Sequence, residues 1–199
     1  MTMTSDRFAV VTPANHVPGP KQGQWTYAHY AALPDDGQHY EIVHGVLFMI
    51  PAPNPAHQQV TGEIFSYLRS HVKQFNLGRV FMAPIDVEIA PGDVLQPDVL
   101  LLLEAHLHKV KASRIIGTPD LVVEVASPGT ATHDRREKYD AYANAGVSEY
   151  WITDPIAHTV EVFFLESGKY YSQGVFRGKA ILSSKILPGF DVPVELFFL

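Results

Sequence analysis

The sequence predicts one α/β or α+β domain, and three observations carry that expectation. Val60, Ile64, Leu68 and Val72 recur every four residues and draw one apolar stripe, the mark of a long amphipathic helix. The run Leu121-Val122-Val123-Glu124-Val125-Ala126 is too continuously apolar for a strand with one wet face, so it reads as a strand covered on both sides. Around these two, short β-branched and aromatic runs alternate with Pro, Gly, Asn and Asp clusters, the punctuation of strands joined by turns.

Size and composition agree with one domain. The 199 residues are 46% apolar and 18% charged, enough to build a sizeable core. A formal net charge of −6 argues against coating nucleic acid by bulk charge, but leaves room for a local basic patch. The absence of Cys excludes disulfide scaffolds, thiolate zinc sites, iron–sulfur clusters and a Cys nucleophile. Residues 1–7 are polar without an apolar signal core, and the longest apolar run is far too short to cross a bilayer. The expectation is a soluble, cytoplasmic protein.

Residues 1–24 mix Thr, Pro, Gly and Gln without a sustained period; they are expected to form a mostly irregular arm, with residues 8–11 laid on the body, and 25–199 to form the domain. Thr26 is placed to cap a short helix through Tyr27, Tyr30 and Leu33, stopped by Pro34-Asp35-Asp36-Gly37. Residues 40–50 read as strand, bend and strand, with His44-Gly45 at a turn or a bulge. Asn54 as N-cap and Pro55 as first helical residue open the striped helix, expected over 55–75. Strands are expected over 79–89, where Pro84 argues for an edge or a bulge, and over 99–103. The basic, histidine-rich segment 104–114 faces the surface in no assigned form. After Ser127-Pro128-Gly129 a helix is expected over 132–145 with Gly146 as its C-cap, then a strand over 149–153 and a hairpin around Ser167-Gly168. The end, Leu196, Phe197, Phe198 and Leu199, is either a closing core strand or a homodimer seam.

Three carboxylates have apolar neighbours: Glu41, Asp98 and Glu124. Strand alternation puts Asp120 on the side of Glu124 but about 13 Å away, so Asp98 is the better partner if its strand is adjacent. Two buried carboxylates repel unless a cation neutralises them, and oxygen-only ligands favour Mg²⁺ or Mn²⁺. The plain alternative is that Asp98 caps a turn, Glu124 meets an Arg and Glu41 faces water. In His133-Asp134-Arg135-Arg136-Glu137-Lys138, Asp134 and Lys138 share a helix face. That segment is either a solvated ion-paired surface or, following the Glu124 strand, a source of a lysine that stabilises charge on a phosphate oxygen. His57 is a surface or capping histidine, or a contact at a pocket mouth. His106 and His108 lack a third ligand at metal spacing; with Lys109, Lys111 and Arg114 they form a solvated segment or a basic flap.

At Asp98, Glu124 and Lys138 the chain resembles the Uma-type family of restriction endonuclease-like proteins. The likeness spans residues 25–198 through Tyr40-Glu41-Ile42-Val43-His44-Gly45, Pro55-Ala56-His57, Gly78-Arg79-Val80, Gln96-Pro97-Asp98-Val99, Pro119-Asp120-Leu121-Val122-Val123-Glu124-Val125, Ser127-Pro128, Asp134-Arg135 with Lys138, Gly146-Val147 and Glu149-Tyr150-Trp151. The resemblance implies a branch of the PD-(D/E)XK nuclease superfamily, with a restriction endonuclease-like fold whose mixed central β-sheet is flanked by helices. It also implies a Mg²⁺- or Mn²⁺-dependent endonuclease acting on nucleic acid, DNA foremost; a homodimer is a separate expectation, tied to the apolar end. Asp98 and Glu124 match the metal-binding acids, and Glu41 the family's additional acid. The superfamily's usual lysine, two residues past the second acid, is replaced here by Ala126; Lys138 on the next helix matches the displaced lysine. His57 would orient a ligand, and Arg135, Arg136, Lys109, Lys111 and Arg114 would contact phosphates. The alternative is a non-catalytic nucleic-acid-binding or structural protein on the same scaffold.

Overall fold

Two segments, the striped helix and the apolar strand that carries Glu124, decide where the rest is placed. The computed structural model describes residues 10–199. In chain order it runs β1 (Thr12–Pro13), α1 (Tyr27–Tyr30), β2 (His39–Val43), β3 (Val46–Ile50), α2 (Pro55–Gln74), β4 (Gly78–Met82), β5 (Val87–Ala90), β6 (Asp93–Leu95) and β7 (Val99–Leu103). A 3₁₀ turn (Glu104–Lys109), β8 (Ile115–Ile116), β9 (Leu121–Val125), α3 (Ala131–His133), a π-helical turn (Asp134–Lys138) and α4 (Tyr139–Ala145) follow. The chain ends in β10 (Glu149–Asp154), β11 (Thr159–Glu166), β12 (Lys169–Arg177), β13 (Ile181–Ser183), β14 (Asp191–Pro193) and a 3₁₀ turn (Val194–Phe198).

A six-stranded mixed sheet, ordered β12-β11-β10-β9-β7-β4, is the centre of the fold. Only β9 and β10 are parallel in it, because the helical segment between them carries the chain back to the starting end. Alternation sorts its residues. Val99, Leu101, Leu121 and Val123 face α2 and pack on its stripe, together with Trp151, Phe190 and Phe197. Each stripe residue of α2 is at most 5% exposed, and such burial contributes about 1.5–3 kcal/mol apiece. Leu100, Leu102, Val122, Tyr150 and Ile152 face the other way, onto Tyr142 of α4 and a second sheet. All of β9 is buried, as its composition predicts.

The second sheet, ordered β1-β3-β2-β6-β5-β8, is absent from the expectation above. Residues 40–50 supply its β2 and β3, and the single strand expected over 79–89 divides into β4 of the central sheet and β5 of this one; β1, β6 and β8 are two or three residues long, too short for a period to register. His44 and Gly45 turn β2 into β3 with φ of 52° and 71°. A Cβ on Gly45 would stand 2.5 Å from the Gly23 carbonyl oxygen, so only glycine admits that approach. Thr12 and Pro13 pair with Met49 and Phe48, and Ala14 and Trp25 are buried beside Ile42 and Leu47. Residues 1–9, including Phe8, lie outside the described residues.

The apolar end is not a strand. It winds as a 3₁₀ turn, in which residues three apart stand above one another, and so buries Val194 and Phe197 together. Phe197 therefore belongs to the chain's own core, and Leu199 remains 70% exposed. Among the described residues no helix is long and apolar enough to cross a membrane.

Candidate active site

The β7–β9 register pairs Val99 with Val123 and Leu100 with Val122. Carried one step further, it sets Asp98 opposite Glu124, and even-numbered residues of both strands face α4. Both acids line one cleft of about 280 Å³, with Glu41 from β2, His57 from α2, and Asp134 and Lys138 from the π turn. Local chemistry fixes each contributor. Asn54 Oδ1 accepts the His57 N–H at 2.9 Å and starts α2 there, so His57 sits in its first turn over the cleft. The π turn adds width where it is needed. In an α-helix eight residues overshoot two turns by on the order of 80°; the wider turn removes part of that drift and keeps Asp134, Lys138 and Tyr142 on the sheet side, all buried.

Lys138 Nζ donates to Glu41 Oε1 and to Glu124 Oε1, each at 3.0 Å, and stands 4.0 Å from Asp134 Oδ1. Tyr142 donates its hydroxyl to Glu124 Oε1 at 2.6 Å. Glu41 Oε1 also accepts the Gln96 N–H at 2.7 Å. Asp98 Oδ2 accepts the Val125 N–H at 2.7 Å and lies 3.1 Å from His57 Nε2. Three buried carboxylates thus stand within 4.0 Å of one buried ammonium, and a fourth, the half-buried Asp98, lines the same cleft.

The electrostatics follow. Burial pushes the Glu124 carboxyl well above its ordinary range; Lys138 opposes this, while Asp98, Asp134 and Glu41 add to it. Asp134 is pushed up to about 7, by burial first. Burial works against a charged Lys138, but Glu124, Glu41, Asp134 and Asp98 outweigh it and hold its proton firmly. His133, next to this cluster, is pushed down to about 3 by burial and by Lys138.

The fold family is associated with divalent cations, and the cleft holds oxygen donors of the kind such an ion takes. The acids outnumber the ammonium, and Glu41 Oε2 and Asp134 Oδ2 are buried without a hydrogen-bond partner. Hard oxygen donors of this sort suit Mg²⁺ or Mn²⁺. Among the described residues, however, no three His, Asp or Glu side chains stand together as a ready ligand set.

Sequence reasoning expected Glu41, Asp98, Glu124, Lys138 and His57 as site residues, and all five line the cleft. Five others it named do not line it. Lys109 donates to the Thr118 carbonyl and Lys111 to that of His108. Arg114 pairs with Glu88 at 2.9 Å and stacks on Tyr27. Arg135 pairs with Glu161, and Arg136 is exposed. Asp134, Tyr142 and Gln96 were not among the expected site residues. The signal for the first two was present: Asp134, Lys138 and Tyr142 repeat every four residues.

A model of the Uma2 family, described as "Putative restriction endonuclease", matches residues 27–195. The chain belongs to the Uma2 family. Its architecture is shared by a solved structure described as "a putative nuclease belonging to DUF820 from Anabaena variabilis ATCC 29413", with a TM-score of 0.73. The two are 19% identical, over 87% of this chain and 97% of that one, which speaks to the fold. None of the curated proteins matches the chain. As an Uma2 member it falls in the PD-(D/E)XK-like nuclease superfamily, with the mixed α/β, restriction endonuclease-like architecture expected above.

Proposed function

We propose that this Uma2 protein is a Mg²⁺- or Mn²⁺-dependent nuclease that hydrolyses phosphodiester bonds, DNA being the first substrate to test. One observation carries the reading: a lysine ammonium 3.0 Å from two acids of different strands, on the floor of a cleft that also holds Asp98. Asp98, Glu124 and Glu41 are the residues that would hold the cation. When bound, such an ion lowers the pKa of a coordinated water and neutralises charge on the phosphate.

The chain's own groups divide the remaining work. Lys138 keeps its proton and presents a fixed positive charge where a phosphate oxygen gains negative charge. Tyr142 holds the Glu124 carboxylate in place, and His57 does the same for Asp98 from the helix start. Ala126, at the superfamily's usual lysine position, leaves this role to the helix. The prolines at 51, 53 and 84 give the mouth a stiff wall.

The test is cleavage of single-stranded, double-stranded and branched DNA, and of RNA, in Mg²⁺ or Mn²⁺, with Asp98→Ala, Glu124→Ala and Lys138→Ala beside wild type. Wild type is expected to cut and each variant to lose the activity. A second reading, a non-catalytic nucleic-acid-binding protein, is favoured by the Lys138 bridge, which already joins the two acids. Calorimetry separates the two: no heat of metal binding together with no cleavage selects the binding protein.

A further inference from the structure

Four of the five cations expected to contact phosphates are engaged elsewhere, but three others stand together and free. Arg69 and Lys73 project from the last turns of α2, and Arg79 from β4; with Asn76 and Glu104 they line a cleft of about 350 Å³. All three are exposed, and among the described residues none makes an ion pair or a side-chain hydrogen bond. Three positive charges facing one carboxylate, in a chain of net charge −6, form a local field opposite in sign to the whole.

The position of this cleft gives it meaning. β4 is an edge strand, so no further strand covers it. Just past its end, Ala83 and Pro84 line the acid cleft. Four strand residues separate Arg79 from Ala83, about 13 Å. A nucleic-acid strand rising about 3.4 Å per nucleotide covers that in about four nucleotides. The acid cleft itself offers a phosphate backbone one buried ammonium and no exposed Lys or Arg. A bound strand must find its counter-charges beyond the mouth.

We propose that Arg69, Lys73 and Arg79 form a phosphate-tracking site that holds the nucleic-acid strand about four nucleotides from the bond set in the acid cleft. The identity of the anion rests on the nuclease reading; the site itself rests on the free cations and the shared edge strand. Such contacts fix register and add affinity without reading sequence.

The experiment is fluorescence anisotropy with a labelled single strand of about a dozen nucleotides, and the matching duplex, in EDTA so that nothing is cut. Arg69→Glu/Lys73→Glu/Arg79→Glu is expected to weaken binding at least tenfold. It is also expected to flatten the slope of log affinity against log salt by about two, at roughly 0.7–0.9 per lost phosphate contact. Lys169→Glu/Lys179→Glu, an equal reversal per site on another surface, should stay within about twofold. Thermal melting checks that the exposed substitutions leave the fold intact. Affinity unchanged in the triple variant, no binding by wild type, or displacement of the strand by inorganic phosphate well beyond its ionic-strength effect would each overturn the site. If wild type cuts while the triple variant binds normally, this proposal fails and the nuclease reading stands. If the triple variant loses binding but wild type never cuts, the reverse holds.

Discussion

Two buried glutamates on opposite faces of the same sheet show how differently one residue type can be used. Glu149 on β10 is fully buried, and its carboxylate is surrounded by donors: Trp151 Nε1 at 2.7 Å, the Ser184 hydroxyl at 2.9 Å, and the Lys185 and Ile186 N–H groups at 3.0 and 3.3 Å. Glu124 on β9 is as buried, but its neighbourhood is short of donors and crowded with acids. Lys138 is shared with Glu41, and nearby oxygens of Glu41 and Asp134 have no partner. Native proteins satisfy nearly every buried polar atom, so a cluster of exceptions in a cleft marks a place kept for something else. Glu149 ties β10 to the 184–186 loop; Glu124 lines a cleft beside unpartnered acid oxygens.

The largest effect expected from breaking this contrast comes from Lys138→Met. It removes the cation from a buried acid cluster and should cost about 3–5 kcal/mol in urea unfolding at pH 8. The deficit should shrink at pH 5, where the raised Glu124 and Asp134 carboxyls take up protons instead. A deficit independent of pH would show that Lys138 contributes packing alone.

Asp134→Asn should move stability the other way. Asp134 ionises near 3.8 when unfolded but is pushed up to about 7 in the fold. Between those values the folded state binds more protons than the unfolded one, so stability falls as pH rises through the window, and the full cost is present above it. The amide removes that cost, raising stability by about 4 kcal/mol at pH 8 and by well under about 1 kcal/mol near pH 4. Equal gains at both values would assign the effect to something other than ionisation.

The site was legible where periodicity carried it. Alternation in the run at 121–126 put Glu124 on one face, the apolar strand at 99–103 put Asp98 at its start, and the spacing of Asp134 and Lys138 put both on one helix face, which the structure turns inward. What escaped had a weak local signature or none. Tyr142 continues the four-residue spacing of Asp134 and Lys138, but a π turn leaves no mark in composition, so its place as Glu124's donor did not follow from the sequence. Strands of two or three residues cannot display a period, and the second sheet went unseen. Charge content located a basic segment at 109–114, yet pairing decides whether a cation is free. Arg114 is spent on Glu88, while Arg69, Lys73 and Arg79 came together only through the packing of α2 on β4.

His133 gives a smaller effect of opposite sign to that of Asp134. Unfolded it gains a proton near 6.5, but in the fold only near 3. Its contribution is therefore whole above 6.5 and is lost as pH falls, by about 2 kcal/mol at pH 5. His133→Phe, beside the Phe48 ring 4.6 Å away, should abolish that acid slope. In wild type the two neighbours partly cancel, so each single variant should show a steeper pH profile than the parent: Asp134→Asn on the acid side, His133→Phe towards neutral pH. A profile unchanged in both would mean that neither group titrates as its surroundings dictate.

The smallest effect tests the other half of the comparison. In Glu149→Gln the amide oxygen can keep the place that accepts from Ser184, Lys185 and Ile186, but its NH₂ then points at the indole N–H of Trp151, donor against donor. One good bond is lost and one buried donor is stranded, at a cost of about 1–2 kcal/mol in urea unfolding. The acid cleft lies across the sheet, and no residue of this nest lines it. Metal affinity and any cleavage per folded molecule should then equal those of wild type. A variant that kept its fold but lost cleavage would show that the two faces of the sheet are coupled, and that a fully satisfied buried carboxylate is no guide to a purely structural role.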